Sequence, residues 1–316
     1  MQTRQLGWTD LHFTPVGFGA WAIGGGDWKF GWGPQDDDDS VAAIHRAIDL
    51  GVNWIDTAAV YGFGHSEEVV GRALKGLSRR PFVATKCSRV KGPDGGPVGN
   101  QKRASVLAEL DASLKRLGLD VIDLYQIHWP QPEEDIEEGW GAIADAVKAG
   151  KVRYAGVSNF NVAQVQRIMP IHPVASLQPP YSMLTRDVER EILPFCGANN
   201  IGVVVYSPMV KGLLSGRWTR ERTEALPAND HRRNDARFIE PQLSANLAIV
   251  DRLRPIAQKH GRTVGQLAIA WVLRRPEVTS AIVGGRNPAQ VEETAQAGNF
   301  VLPAEDIAEI EKILAG

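Results

Sequence analysis

Eight times along its 316 residues this chain passes from a short apolar run into an amphipathic stretch with helical spacing. The runs are VGFGA (16–20), VNWID (52–56), PFVATK (81–86), VIDLYQIH (121–128), VRYAGVS (152–158), VASLQ (174–178), GVVVYSP (202–208) and TSAIVG (279–284). The helical stretches that follow lie at 36–51, 66–76, 104–118, 134–150, 161–169, 187–200, 245–261 and 287–297. Strands buried on both faces read as continuous apolar runs, and strand–helix alternation at this spacing builds a parallel sheet clothed by helices. Glycines 51, 118, 150 and 261 stand where several of those helices stop. Eight units point to closure, so the expected fold class is α/β: a (β/α)8 TIM barrel forming a single domain over residues 1–316. Residues 3–14 (TRQLGWTDLHFT) predict a small hairpin placed to plug the bottom of the barrel. Two extra helices, 264–275 and 303–314, fall outside the eight units, and the second is expected on the barrel's flank.

Two connections exceed what a simple loop needs. Residues 89–101 are rich in Gly and Pro, while residues 209–240 carry Arg217, Arg220, Arg222, Arg232, Arg233 and Arg237. A long connection is either a functional lid or a mobile surface segment, and the second follows strand seven, where barrels often bind phosphate. The DDDD run (36–39) supplies acidic residues to a helix start, with Asp39 or Ser40 as the expected cap.

Bulk properties narrow the function. A net charge of -2 gives no reason to expect nucleic acid or an anionic membrane as partner. No apolar run approaches the ~18 residues of a membrane span, and MQTRQLGWTD lacks a signal peptide's apolar core. The two cysteines, Cys87 and Cys196, make no disulfide framework and have no zinc-ligand spacing, so no metal is expected. The expected location is a reducing cytoplasm.

In a barrel of parallel strands, every strand's C-terminal end opens on one face, where the loops build the site. The runs ending at Asp56, Lys86, His128 and Ser158–Asn159, together with Tyr61 just past the first of them, therefore meet in one pocket. A phenol titrates near 10, and a neighbouring ammonium favours phenolate. Lys86 is thus expected to lower the Tyr61 pKa, with Asp56 holding Lys86 and keeping it charged. His128 would orient a substrate carbonyl, and the group would stabilise a forming alkoxide while Tyr61 protonates it. Taken singly, each residue also has a structural reading: a loop cap, rim packing, a solvated strand end, a hydrogen-bonding His. Their placement on one face favours the chemical one.

DTAAVYGFGHSEEVVGRAL, ATK, LYQIHWP, GVSNF and YSPMVKGLLSGR, in this order and spacing, resemble the aldo-keto reductase superfamily. The similarity is greatest to the branch holding bacterial general-purpose reductases and potassium-channel β-subunits, and runs from GFGAW to GGRNPAQVEE. The resemblance implies a (β/α)8 barrel that binds NADPH without a dinucleotide-binding domain; GGG at 24–26 does not open a helix after a strand as such a fingerprint requires. It implies Tyr61 as proton donor, Lys86 and Asp56 tuning it, and His128 orienting the carbonyl. It implies Ser158, Asn159 and Gln178 on the nicotinamide carboxamide and Tyr206 stacked on its ring. Ser207, Pro208, Leu213, Ser215 and Arg217 would fold over the pyrophosphate. Gly284, Arg286, Gln290 and Glu293 would bind the adenosine end, with Arg286 on the 2′-phosphate, which favours NADP over NAD. Thr294 stands where many relatives have Asn or Asp, and Val283–Gly284 where many have Pro-Gly.

Trp21, Trp28, Phe30 and Trp32 after strand one, with Trp129 after His128, suggest an aromatic substrate pocket suited to apolar or aromatic aldehydes, or else rim packing. Cys87 alternates away from Lys86 and reads as a buried apolar residue. The expected activity is reversible NADPH-dependent reduction of aldehydes and ketones to alcohols, with a small-molecule carbonyl substrate. A slow-turnover NADPH-binding redox sensor is the alternative, and a lyase with a Lys86 Schiff base ranks third. Substrate identity, stereochemistry and oligomeric state are open at the level of sequence.

Overall fold

The computed structural model describes residues 1–26, 28, 30–227 and 230–315. Among them, eight parallel strands close into a barrel: β1 (Val16–Gly19), β2 (Trp54–Asp56), β3 (Phe82–Cys87), β4 (Ile122–Ile127), β5 (Val152–Ser158), β6 (Ser176–Gln178), β7 (Gly202–Val205) and β8 (Val278–Gly284). Each pairs with its sequence neighbours, and β8 closes the ring on β1 through Gly284↔Gly19. The helices are α1 (Asp37–Asp49), α2 (His65–Leu74), α3 (Arg103–Leu117), α4 (Ile136–Lys148), α5 (Val162–Ile168), α6 (Ile192–Ala198), α7 (Arg220–Glu224), α8 (Gln242–Lys259), α9 (Val264–Leu273), α10 (Pro288–Ala295) and α11 (Ala304–Ala315). This is the (β/α)8 barrel expected from the alternation, with the N-terminal hairpin and the extra C-terminal helices in place.

The hairpin pairs Arg4 with Phe13 and Gln5 with His12. Its Leu6, Leu11 and Phe13 join Trp54, Ala84, Leu124, Val204 and Ile282 in a core inside the barrel, separate from the larger core between strands and helices. Phe13 stacks on Trp54 with ring centroids 4.5 Å apart. Position 17 has to be glycine, because a Cβ there would lie 2.0 Å from the Trp54 indole. The bottom is thereby filled with apolar side chains, and polar chemistry is left to the other end.

Several local expectations shift. The cap of α1 is Asp36, whose carboxylate accepts from the Asp38 and Asp39 amides, three residues ahead of Asp39 and four ahead of Ser40. The stretch 187–200 is not one helix but a 3₁₀ turn (Asp187–Glu189) followed by α6. Pro194 explains the break, since proline is tolerated only in a helix's first turn. The Gly/Pro-rich 89–101 segment is a second hairpin, Arg89–Lys91 against Pro97–Gly99, closed by the Gly92 amide donating to the Gly96 carbonyl at 2.7 Å. Residues 209–240, of which 228 and 229 lie outside the described residues, are folded rather than loose. Val210, Leu213, Leu214, Trp218 and Phe238 are buried, and Asp230 and Asp235 each hold an arginine two residues on at 2.6 Å. α11 packs against α8 with Ile310 and Ile313 buried.

Candidate active site

Parallel strands deliver their last residues to one mouth. Asp56 ends β2, Ser158 ends β5 and Gln178 ends β6, with Ser158 and Gln178 in register. Lys86 is next to last in β3, His128 follows β4 directly, and Tyr206 follows β7. Tyr61 opens the turn after β2, where Gly62 has φ 62° and its α-carbon passes so close to the Gly24 carbonyl that a Cβ would sit 2.0 Å from that oxygen. That contact seats the loop after β1 beside the tyrosine.

The Lys86 amine is fully buried and meets three oxygens: Asp56 Oδ2 at 2.7 Å, the Thr57 carbonyl at 2.8 Å and Tyr61 Oη at 3.4 Å. Three acceptors match the three N–H donors of an ammonium, one more than a neutral amine supplies. That argues against Lys86 as a Schiff-base nucleophile. Burial pushes the Lys86 pKa down, opposed by Asp56 and by Glu67. The expectation that Lys86 lowers the Tyr61 pKa is not met. Burial drives the phenol well above its ordinary value, and Asp56 and Tyr206 add to it. The reason is that Asp56 already balances the ammonium, so Tyr61 feels a dipole rather than a free positive charge. The consequence is a phenol that keeps its proton throughout the physiological range.

His128 faces the Tyr61 ring edge-on, with centroids 5.7 Å apart at 78°. Burial, then Lys86 and Arg89, hold its pKa well below the usual range, so the imidazole is neutral. Its Nδ1 is buried without a partner among the described residues. A neutral imidazole can donate a hydrogen bond to a carbonyl oxygen while leaving proton delivery to another group.

The residues expected at the nicotinamide form one hydrogen-bonded chain running into this cluster. Tyr206 Oη donates to Asn159 Oδ1 at 2.8 Å, and Asn159 Nδ2 donates to the His128 carbonyl at 2.9 Å and to Ser158 Oγ at 3.0 Å. Ser158 Oγ donates to the Gln178 carbonyl at 2.9 Å, and Gln178 Nε2 donates to Asp56 Oδ1 at 2.8 Å. Asn159 and Ser207 both hold positive φ, 63° and 56°, a strained backbone that clusters at functional sites. Farther out, Pro208 and Leu213 are buried, and Ser215 Oγ bonds the Gly212 carbonyl at 2.6 Å. Arg217 reaches across to Glu293 at 2.7 Å. Arg286, just past Gly284, bonds Gln35 Oε1 at 2.5 Å and the Trp32 and Pro34 carbonyls, while its amide donates to Gln290 Oε1 at 2.9 Å. Thr294 spends its hydroxyl on the Gln290 carbonyl of its own helix at 3.0 Å.

Trp21 and Trp28 stand 6.4 and 6.1 Å from the Tyr61 ring, and Trp32 abuts Trp21 at 5.9 Å. Trp129 lies on the rim, 38% exposed. Cys87 is buried in the outer core, away from Lys86. Among the described residues no cluster of His, Cys, Asp or Glu could hold a metal, and no helix is long and apolar enough to cross a membrane.

Sequence reasoning missed three contributors. Glu67, fully buried, accepts from Thr85 Oγ1 at 2.6 Å and pairs with Arg116 at 2.6 Å, adding a second carboxylate near Lys86; the acidic pair after Tyr61 was the available signal. His231 stands against Trp21 and Trp32 at 5.4 and 5.8 Å, with no signal beyond a histidine in the long lid. Glu109, on α3, accepts from the Ser88 amide and Ser105 Oγ, with Oε2 buried and unpartnered. Burial pushes its pKa from 4.5 up to about 7. The folded chain thus holds this proton more tightly than the unfolded one, and stability is lost as pH rises from about 4.5 through about 7, by up to roughly 3 kcal/mol. Glu109→Gln is expected to raise the melting temperature at pH 8 and to leave it nearly unchanged at pH 5, as read by thermal unfolding.

The sequence pattern of the Aldo/keto reductase family matches residues 15–315. The aldo-keto reductase YhdN of Bacillus subtilis (strain 168) is 36% identical, covering 99% of this chain and 94% of the relative. The NADH-specific methylglyoxal reductase of Escherichia coli (strain K12) is 35% identical, covering 97% and 96%. Among solved structures, the glycerol dehydrogenase AKR11B4 from Gluconobacter oxydans superposes with a TM-score of 0.91 at 37% identity, covering 99% and 95%. Sequence and three-dimensional likeness extend over nearly the whole length, and this chain belongs to the aldo/keto reductase family.

Proposed function

We propose that this single barrel domain reduces aldehydes and ketones to alcohols with NADPH, with Tyr61 as the proton donor. The observation that carries the reading is the buried Lys86 ammonium, fixed by Asp56 and the Thr57 carbonyl with its third donor directed at Tyr61 Oη. NADPH, when bound, would supply the hydride for the carbonyl carbon. This chain's residues do the rest: His128 donates a hydrogen bond to the carbonyl oxygen, and Tyr61 gives that oxygen its proton. As the phenolate forms, Lys86 stabilises it, so the acid is strengthened in the transition state although its resting pKa is high.

The residues present fit a phosphorylated dinucleotide. The Arg286 guanidinium bonds only neutral oxygens, and no carboxylate pairs with it among the described residues. Burial and the neighbouring Arg232 lower its pKa, marking positive charge with no local counterion. Asn159, Ser158 and Gln178 would hold the carboxamide beside the Tyr206 ring. Arg217 and Glu293 would close over the pyrophosphate and adenosine, and Ser207, Pro208, Leu213, Ser215, Gly284 and Gln290 would shape that trough. A relative named for NADH specificity leaves the choice to this chain's own residues, and the unpaired Arg286 guanidinium supports NADP(H). Arg286→Met is expected to weaken NADPH binding by about 10- to 100-fold, the worth of a charged hydrogen-bonded contact, and NADH far less. Tryptophan-fluorescence titration measures both; equal losses would contradict the assignment.

A further inference from the structure

Arg286 is held by neutral groups that come from the loop after β1. Gln35 Oε1 accepts from its Nε at 2.5 Å, the Trp32 carbonyl accepts from Nη1 at 3.2 Å, and the Pro34 carbonyl accepts from Nη2. Gln35 grips the residue at both ends, because its Nε2 donates to the Arg286 carbonyl at 2.8 Å. The same Nε2 donates to Ser40 Oγ at 3.0 Å, which ties the clasp to the first turn of α1. Trp32 is held in turn by the Arg232 guanidinium, stacked 4.6 Å from its ring. Arg286 itself is partly exposed, so a ligand can reach it from outside.

A guanidinium carries five N–H donors in a rigid fork. Three are taken here, which leaves one on each of Nη1 and Nη2, the number a bidentate phosphate contact uses. The neutrality of the partners matters as much as their geometry. Four aspartates follow Gln35 directly, at 36–39, yet none of them pairs with Arg286. Asp36 caps its own helix, Asp37 meets His65 and Arg72, and Asp38 meets Arg72. Arg232, the cation felt at Arg286, already has its carboxylate in Asp230 at 2.6 Å. Arg286 is therefore oriented without its charge being spent. A carboxylate at position 35 would make the same Nε contact and compete with an incoming phosphate. An arginine without the clasp would have to be ordered at the moment of binding, an entropy cost that lowers affinity.

We infer that Gln35 is a specificity-determining residue for the cofactor: with the Trp32 and Pro34 carbonyls it forms a neutral cradle that aims the Arg286 guanidinium at the 2′-phosphate. Gln35 acts through Arg286 and is a positioning residue. The inference rests on the role given to Arg286 under the proposed function. It adds that the loop after β1, which also brings Trp28 to Tyr61, takes part in the choice between NADP(H) and NAD(H).

Tryptophan-fluorescence titration with NADPH and with NADH, which differ only in the 2′-phosphate, reads the effect without turnover. Gln35→Leu is expected to weaken NADPH binding about three- to tenfold, the cost of ordering one long side chain, and to leave NADH within about twofold. Gln35→Glu keeps the acceptor and adds a charge; it is expected to weaken NADPH at least about tenfold, again with NADH little changed. It also carries the test if the leucine variant does not fold. In the Arg286→Met background, Gln35→Leu is expected to shift neither affinity by more than about twofold, because the residue it acts through is gone. Unchanged NADPH affinity in the Gln35 variants, equal losses for both cofactors, or a loss that persists without Arg286 would each overturn the cradle while leaving the reductase reading intact. Equal affinity of the parent for NADPH and NADH, with Arg286→Met weakening both alike, would overturn the Arg286 assignment and the cradle with it.

Discussion

Tyr61→Phe is expected to slow carbonyl reduction by about three orders of magnitude, within the range of a lost general acid, while NADPH affinity stays within about twofold of the parent. The substitution removes one oxygen and keeps the ring that packs against Trp21, Trp28 and His128. Among the described residues, the other groups beside Tyr61 are poorer proton donors: His128 is held neutral by burial, and the Lys86 amine is committed to Asp56 and the Thr57 carbonyl. Single-turnover absorbance at the nicotinamide band, beside a fluorescence titration of NADPH, separates chemistry from binding. Turnover near the parent rate would remove Tyr61 from its role.

Lys86→Met is expected to damage both activity and stability. The methionine is of similar length but leaves the Asp56 carboxylate buried, with Gln178 as its remaining partner. Breaking a buried ion pair from one side costs about 3–5 kcal/mol, because an uncompensated charge stays behind. Reduction should fall at least about a hundredfold, since the forming phenolate loses its ammonium. The two effects come apart in the double variant Asp56→Asn/Lys86→Met, which no longer buries an unpaired charge. Urea unfolding should recover most of the lost stability there, and the rate should not recover. Recovery of both would make the pair structural.

Much of the barrel was legible because its constraint is repeated. A strand covered on both faces must be apolar wherever it occurs, and eight such runs at regular spacing leave few other closed arrangements. The meeting of the candidate site residues was legible for a related reason, since parallel strands carry their terminal residues to one face whatever the loops do. Boundaries were less so. The capping role of Asp36 depends on where the backbone leaves the extended region, which four successive aspartates do not reveal. The hairpin at 89–99 was hidden because its short strands carry Arg, Lys, Pro and Gly in place of an alternating apolar pattern. The direction of the Tyr61 shift was missed for an electrostatic reason. Proximity to Lys86 was readable, but the depth of burial and the cancelling Asp56 charge appear only in three dimensions. His231 was invisible, as its contacts come from a lid folding back over the loop after β1.

Steady-state absorbance at the nicotinamide band, with purified protein, NADPH and glyceraldehyde or a nitrobenzaldehyde, tests the reductase activity of this barrel. Many turnovers per protein molecule are expected, with one alcohol formed for each NADPH consumed and a rate lost in Tyr61→Phe. Tight NADPH binding with less than one turnover would contradict it and favour a cofactor-sensing role for the same barrel. Failure to bind NADPH would remove the assignments of Arg286 and Tyr206 as well.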